Sequence, residues 1–276
     1  MSRKLVAAAV VALLTASVSQ GQVIIDLLYT GAVHTTTSGA IFAQGTLGSG
    51  SGNYVDFVRI GGNDPTNEGY NTSGRPVPYD ENTSGSFTYD VQLFELPVAT
   101  IGVNGVTNKY VYFGLDANEK NNATDRYLSI DKIMMFVSPT GSLNCTIAQM
   151  SLYGGVKVWD MDINKLGGSA DHVVVMDYNL SKGSGWSDMT VYVPVTALAG
   201  RNTNDYMYWY SSFGAYTGSY SNQTDWTTSD GQEQWALDPN ASEYFTYVPE
   251  PGSVSLVFAG GILVRLLRNR RTARRG

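Results

Sequence analysis

The chain has 276 residues, 43% hydrophobic and 15% charged, with 24 acidic against 18 basic side chains. Its charge is unevenly spread: Arg3, Lys4 and the six arginines from Arg265 onward leave ten basic residues for the stretch between Asp26 and Glu250, which holds all 24 acids and carries −14. Such a surface repels phosphate backbones, which argues against nucleic-acid binding, and attracts divalent cations or basic partners. The single cysteine, Cys145, excludes an internal disulfide, so the fold must hold by its core.

In chain order, Arg3 and Lys4 precede an unbroken apolar run, 5–16, too short to span a bilayer. Ser17, Ser19 and Gly21 follow at a spacing that signal peptidase accepts. Residues 1–21 are therefore expected to be a signal peptide, and 22–247 an exported acidic domain.

Within that domain, apolar side chains alternate with period two at 23–29, 54–60, 86–96, 109–115, 127–137, 156–160, 172–178, 189–195 and 206–213. The intervening stretches are rich in Gly, Asn, Ser, Thr and Asp, which accept turn geometry. Only 194–199 suggests a helical turn. Residues 46–52 read as a flexible Gly/Ser connection, and 61–84, with Pro65, Pro76 and Pro78, as a long surface excursion. The expected fold is all-β: a single large β-sandwich, jelly-roll-like, flanked by the signal peptide and a C-terminal hydrophobic helix. No internal repeat appears, which disfavours a solenoid or propeller.

Residues able to carry chemistry are few. The only histidines are His34 and His172, which excludes a zinc site built on several His and Cys ligands. His172 opens a strand and reads as a water-exposed strand end rather than a catalytic base. Cys145, between turn residues and an apolar stretch, reads as a small buried side chain. Carboxylates are plentiful, but nothing in their spacing marks two as a glycosidase pair.

Asp160-x-Asp162-x-Asn164 begins like a calcium loop, yet Lys165 stands where that loop needs glycine. A second group, Asp116, Asn118 and Glu119 with Asp131, offers hard oxygens for calcium at one end of a sandwich. Tyr206, Tyr208 and Tyr210 share one strand face. They are either core or a platform on which sugar rings stack, and core is the favoured reading because one face of the strand must be buried. Asn-x-Ser/Thr triplets at Asn71, Asn82, Asn122, Asn144, Asn179, Asn222 and Asn240 reflect an Asn/Ser/Thr-rich surface.

The last segment, 248–276, has three pieces in order. Pro249-Glu250-Pro251 is rigid and acidic, and its prolines keep it extended. An apolar run, 252–267, follows, and then a basic end. Arg265, Arg268, Arg270, Arg271, Arg274 and Arg275 hold that end on the cytoplasmic side. As a helix, 254–267 rises about 21 Å at 1.5 Å per residue, short of the roughly 30 Å of a hydrocarbon core. This suits a temporary hold better than a permanent anchor.

The three pieces together resemble the PEP-CTERM sorting signal of exported bacterial proteins, sometimes labelled by analogy with an ice-binding protein. The resemblance implies recognition and cutting by the membrane protease-transpeptidase exosortase. It also implies a transient stay in the inner membrane and delivery to the cell surface or an extracellular polysaccharide matrix.

Residues 112–235 also resemble a β domain recurrent in proteins with this tail. That likeness is carried by Leu115-Asp116-Ala117-Asn118-Glu119, Leu128-Ser129-Ile130-Asp131, Gly183-Ser184-Gly185-Trp186-Ser187-Asp188-Met189, Val191-Tyr192-Val193-Pro194 and Gly231-Gln232-Glu233-Gln234-Trp235. The expected function is a non-enzymatic structural or adhesive role, without a required cofactor. The alternative is a carbohydrate-binding module of the polysaccharide matrix, with a hydrolase as the third reading.

Overall fold

The computed structural model describes residues 22–45, 55–62, 64–103, 105–163, 170–181 and 186–246. The signal-peptide segment, the 46–52 connection, Tyr54, Asn164, Lys165, Gly183, Ser184 and Gly185 lie outside the described residues. So does the whole sorting tail with Pro249, Glu250, Pro251 and its arginines.

Alternating side chains at the predicted positions do form strands, and fourteen occur among the described residues. In order they are β1 Val23–Leu27, β2 Val33–Thr35, β3 Ile41–Gln44, β4 Val55–Ile60, β5 Asn67–Tyr70, β6 Val91–Gln92 and β7 Val98–Val103. Then come β8 Val106–Asp116, β9 Tyr127–Ser138, β10 Val156–Asp160, β11 His172–Asp177, β12 Met189–Pro194, β13 Tyr206–Phe213 and β14 Glu233–Leu237.

They build two sheets. One runs β1-β11-β9-β13-β5, with β10 also on β9 and β6 also on β13; the other runs β2-β3-β12-β8-β14-β4, with β7 also on β8. Pairing is antiparallel except at one edge, where β1 runs parallel to β11. From β8 to β9, β11 to β12, β12 to β13 and β13 to β14 the chain crosses from one sheet to the other, so the sandwich is jelly-roll-like.

The inner faces supply the main core. β13 sends Met207 and Trp209 inward, β9 sends Ile133, Met135 and Val137, and β8 sends Val111, Phe113 and Leu115. Trp209 is the hub. It stacks on Phe113 with centroids 4.2 Å apart, lies parallel to Trp159 at 5.8 Å, and meets Trp235 edge-on at 5.2 Å. Each such aromatic contact stabilises by about 0.5–1.5 kcal/mol beyond the area it buries.

Four sequence expectations need correction. Of 86–96 only Val91–Gln92 pairs as a strand. The Glu95 carboxylate accepts the Gln92 backbone N–H at 2.7 Å, and the chain winds into a 3-10 turn over Leu93–Glu95. The excursion 61–84 is not confined to the surface: β5 lies inside it, and Asn67, Tyr70, Asn71 and Thr72 are buried. Asn71 therefore leaves the set of surface Asn-x-Ser/Thr triplets. His172 is buried rather than exposed: its backbone N–H donates to Asp162 Oδ1 at 2.9 Å, with its ring Nδ1 3.8 Å from the same oxygen.

Cys145 is buried and free, as its flanking residues implied, and the helical turn expected at 194–199 is a 3-10 turn over Val195–Leu198. Among the described residues no helix is long and apolar enough to cross a membrane.

Candidate functional site: an acidic end of the sandwich

The end of β8, the end of β11, the start of β12 and the start of β14 meet at one end of the sandwich. Register fixes this. Leu115 pairs with Met189, and Asp116 with Gln234, so residues just past β8 face residues just before β12 and β14. The loops are tied by carboxylates that accept backbone N–H groups. Asp188 Oδ2 takes the Ala117 N–H at 2.9 Å, Glu233 Oε2 takes the Asn118 N–H at 3.1 Å, and Glu119 Oε2 takes the Ser229 N–H at 2.8 Å.

Four acids are thereby sequestered: Asp116 is 2% exposed, Glu119 5%, Asp188 3% and Glu233 1%. An ionised carboxylate resists removal from water unless paired or bound to a cation. Burial pushes the Glu119 carboxyl up to about 7. Glu233 is raised well above the carboxylate range, first by burial and then by the charge of Glu119. Asp188 is raised likewise by burial, with Asp116 adding to the effect. Two buried oxygens, Glu119 Oε1 and Asp188 Oδ1, have no hydrogen-bond partner. Beside the cluster, Arg126 Nη2 pairs with Asp177 Oδ2 at 3.0 Å.

Glu119 also lines a cleft of about 490 Å³, with Asn118, Tyr178, Asp230, Gly231, Gln232 and Gln234. Glu233 is 1% exposed and is not among the residues lining that cleft, whereas glycoside hydrolysis needs two carboxyls about 5–9.5 Å apart, both facing the sugar. With Glu233 almost fully enclosed, Glu119 and Glu233 lack that geometry. Among the described residues no three His, Cys, Asp or Glu side chains form a group that could hold a metal ion.

The sequence-predicted calcium residues are thus partly reunited. Asp116, Asn118 and Glu119 stand at this end. Asp131 keeps other company: its carboxylate accepts the Ala215 N–H at 2.7 Å and the Ser129 hydroxyl at 3.1 Å, and Asp171 is the carboxylate that acts on it. Asp188 and Glu233 enter the sequence reading only within the motifs 183–189 and 231–235, not as ligand candidates. Their signal was weak: each is an acid at the border between turn residues and an alternating strand.

The calcium-loop start at Asp160 and Asp162 is engaged otherwise. Lys157 Nζ donates to Asp160 at 2.6 Å, and Asp162 accepts from His172.

Tyr208 and Tyr210 are core, the favoured reading, and do not form the alternative sugar-stacking platform. Tyr208 is fully buried and Tyr210 is 6% exposed. Both lie on the outer face of their sheet, but Leu143, Cys145 and Met150 cover them in a second core with Tyr70, Met134 and Phe136. Tyr206 packs partly buried against that cluster. The chain 139–155 acts as a flap because the Tyr208 hydroxyl donates to the Thr140 carbonyl at 2.7 Å and the Tyr70 hydroxyl to that of Cys145 at 2.8 Å.

No family model, curated protein or solved structure matches the chain. The site is therefore read from its own geometry.

Proposed function

We propose that the chain is an exported protein with a structural or adhesive role, passed by its C-terminal segment to exosortase and delivered to the cell surface or an extracellular polysaccharide matrix. The observation that carries this reading is the order Pro249-Glu250-Pro251, apolar run 252–267, arginine cluster. The charge of −14 between the two terminal signals adds support, since it suits a solvated exported domain.

The carbohydrate-binding alternative drew on Tyr206, Tyr208 and Tyr210. With Tyr208 and Tyr210 under the 139–155 flap, two of its three stacking rings are lost.

The test is fractionation of producing cells with mass spectrometry of the mature C-terminus. The expected product lies outside the inner membrane and lacks Arg268 to Arg275. Full-length protein retained in the inner membrane with those arginines intact overturns the sorting reading.

A further inference from the structure

The chain from Val98 to Asn108 has no charged side chain, although the stretch between Asp26 and Glu250 that contains it carries −14. It forms most of the β7–β8 hairpin. The two strands pair from Val98 with Val111 to Val103 with Val106, but β12 covers β8 only from Tyr110 onward and β14 only at 114–116. Residues 100–109 are therefore a two-stranded arm with no third strand beside it. Thr100, Gly102, Thr107, Asn108 and Lys109 are exposed, and Val106 is 60% exposed. A Cβ at Gly102 or Gly105 would meet nothing within 4 Å. A two-stranded hairpin standing alone in water is at best marginally stable.

The outer edge of β7 is set up to pair. The Val98 N–H points away from β8, to the Glu243 carbonyl at 2.8 Å. Backbone groups alternate along a strand, so the N–H and C=O of Thr100 and Gly102 point to the same side. The flanking segment stops short of them. It runs antiparallel to β7 at Pro97 and Tyr244, and its Phe245 N–H bonds the Leu96 carbonyl. On the other side of Glu243 it folds back, with the Ala241 N–H on the Asp238 carbonyl. Among the described residues Thr100 and Gly102 have no backbone partner on that side. Such an edge is a template for another strand, and proteins usually blunt it with charge or proline. Residues 98–108 contain neither.

We infer that this edge joins a second copy of the chain by antiparallel strand pairing across a two-fold axis. Charge selects that partner. Two domains of −14 repel over most of their surfaces, and an uncharged arm lets them meet where repulsion is least. A basic partner would be drawn to the acids instead. Symmetry fits as well, because an isologous contact uses the same patch on both copies. With the axis at Ile101, Thr100 and Gly102 of one copy exchange backbone hydrogen bonds with Gly102 and Thr100 of the other. The two Ile101 side chains then meet as a non-hydrogen-bonded pair. The contact belongs to the β domain alone and does not depend on the sorting reading.

The test uses the full chain carrying Ile101→Cys under oxidising conditions. A non-hydrogen-bonded antiparallel pair holds its Cα atoms about 4.5 Å apart, within the range a disulfide spans, and the native Cys145 is buried. A disulfide-linked dimer is expected. Val33→Cys, at a more exposed position on β2, is the control. It is expected to link about tenfold more slowly, since no pairing concentrates its thiols. Gly102→Glu places like charges across the axis in open space. Thr100→Pro removes an outward N–H and spares the arm's own ladder. Each substitution acts twice in the dimer, so each, added to Ile101→Cys, is expected to slow linkage by about tenfold or more. The circular-dichroism spectrum is expected to stay that of the parent.

Linkage of Ile101→Cys no faster than that of Val33→Cys overturns the proposal. Linkage that neither Gly102→Glu nor Thr100→Pro slows shows a contact without strand pairing and overturns it equally. A disulfide from Ile101→Cys to a different protein of the producing cells assigns the edge to another partner and overturns the second copy.

Discussion

Asn71 occupies the place of a strand residue beside Trp209. Its Oδ1 accepts the Trp209 backbone N–H at 2.6 Å, and its Nδ2 donates to the Met207 carbonyl at 2.9 Å. β6 pairs with β13 at residues 206–207 and β5 pairs with it at 210–213, so the side-chain amide bridges the ladder between the two short strands. The inner face of β13 carries Trp209, hub of the aromatic core, so this single amide helps position it.

Asn71→Ala would strand a buried N–H and a buried carbonyl. Leaving a buried polar group unsatisfied costs about 1–3 kcal/mol each, so urea unfolding is expected to show a loss of about 2–6 kcal/mol. Asn71→Asp, which keeps the acceptor, is expected to lose less at acid than at neutral pH. A midpoint unchanged in Asn71→Ala would remove the bridging role.

Tyr208→Ala opens a cavity under the 139–155 flap. The expected loss is about 3–5 kcal/mol, as for other large-to-small changes in a core. Tyr208→Phe keeps the packing and loses two bonds, the one donated to the Thr140 carbonyl and the one accepted from the Leu143 N–H at 3.4 Å, for a loss of about 1–3 kcal/mol. Retention of the parent chain on polysaccharide columns is expected to be unaffected by Tyr208→Phe. Retention abolished by that change would return the ring to a sugar-binding role.

Glu81 provides a pH prediction. It is 4% exposed and accepts the N–H groups of Tyr70 at 3.0 Å and Tyr79 at 2.9 Å. Burial raises its carboxyl above the usual range despite those bonds. A carboxyl raised in the folded state contributes stability below its unfolded value, and that contribution is lost as pH rises through the folded value. The midpoint is therefore expected to decline from about pH 4.5 upward. Glu81→Gln, neutral throughout, should flatten that decline. An identical pH profile for parent and variant would rule Glu81 out as its source.

Gly214 closes β13 with φ +80° while its N–H donates to the Ser129 carbonyl at 3.0 Å. A Cβ there would press into the Pro65 carbonyl oxygen and lie 3.0 Å from the Thr228 nitrogen. Left-handed backbone alone costs a non-glycine residue about 1–2 kcal/mol. Gly214→Ala is expected to lose at least that much in thermal or urea unfolding, and an unchanged midpoint would show that the 214–228 loop yields freely.

What could be read from the residues follows their periodicity. Alternation marked β10 and β13 at the bounds they have and placed β1, β4, β8, β9, β11 and β12 within about three residues at either end. β2, β3 and β5 escaped because each is only three or four residues long, and β5 is set among glycines and prolines where turn chemistry dominates the local signal; β7 and β14, six and five residues long, escaped although strands of the same length were marked. Only pairing with β13 holds β5 as a strand.

By itself the sequence determined the class of fold, the strong negative charge of the region between its ends, the absence of any disulfide, and the order of motifs in the tail. These are properties of composition and short-range pattern. The tertiary structure decided what distance in the chain hides. It sent Tyr208 and Tyr210 beneath a flap that begins some seventy residues earlier, and it brought the Asn118 N–H onto the Glu233 carboxylate across more than a hundred. Acids scattered at strand ends look alike in sequence. Burial and the register of β8 against β12 and β14 are what separate a solvated turn from a sequestered carboxylate.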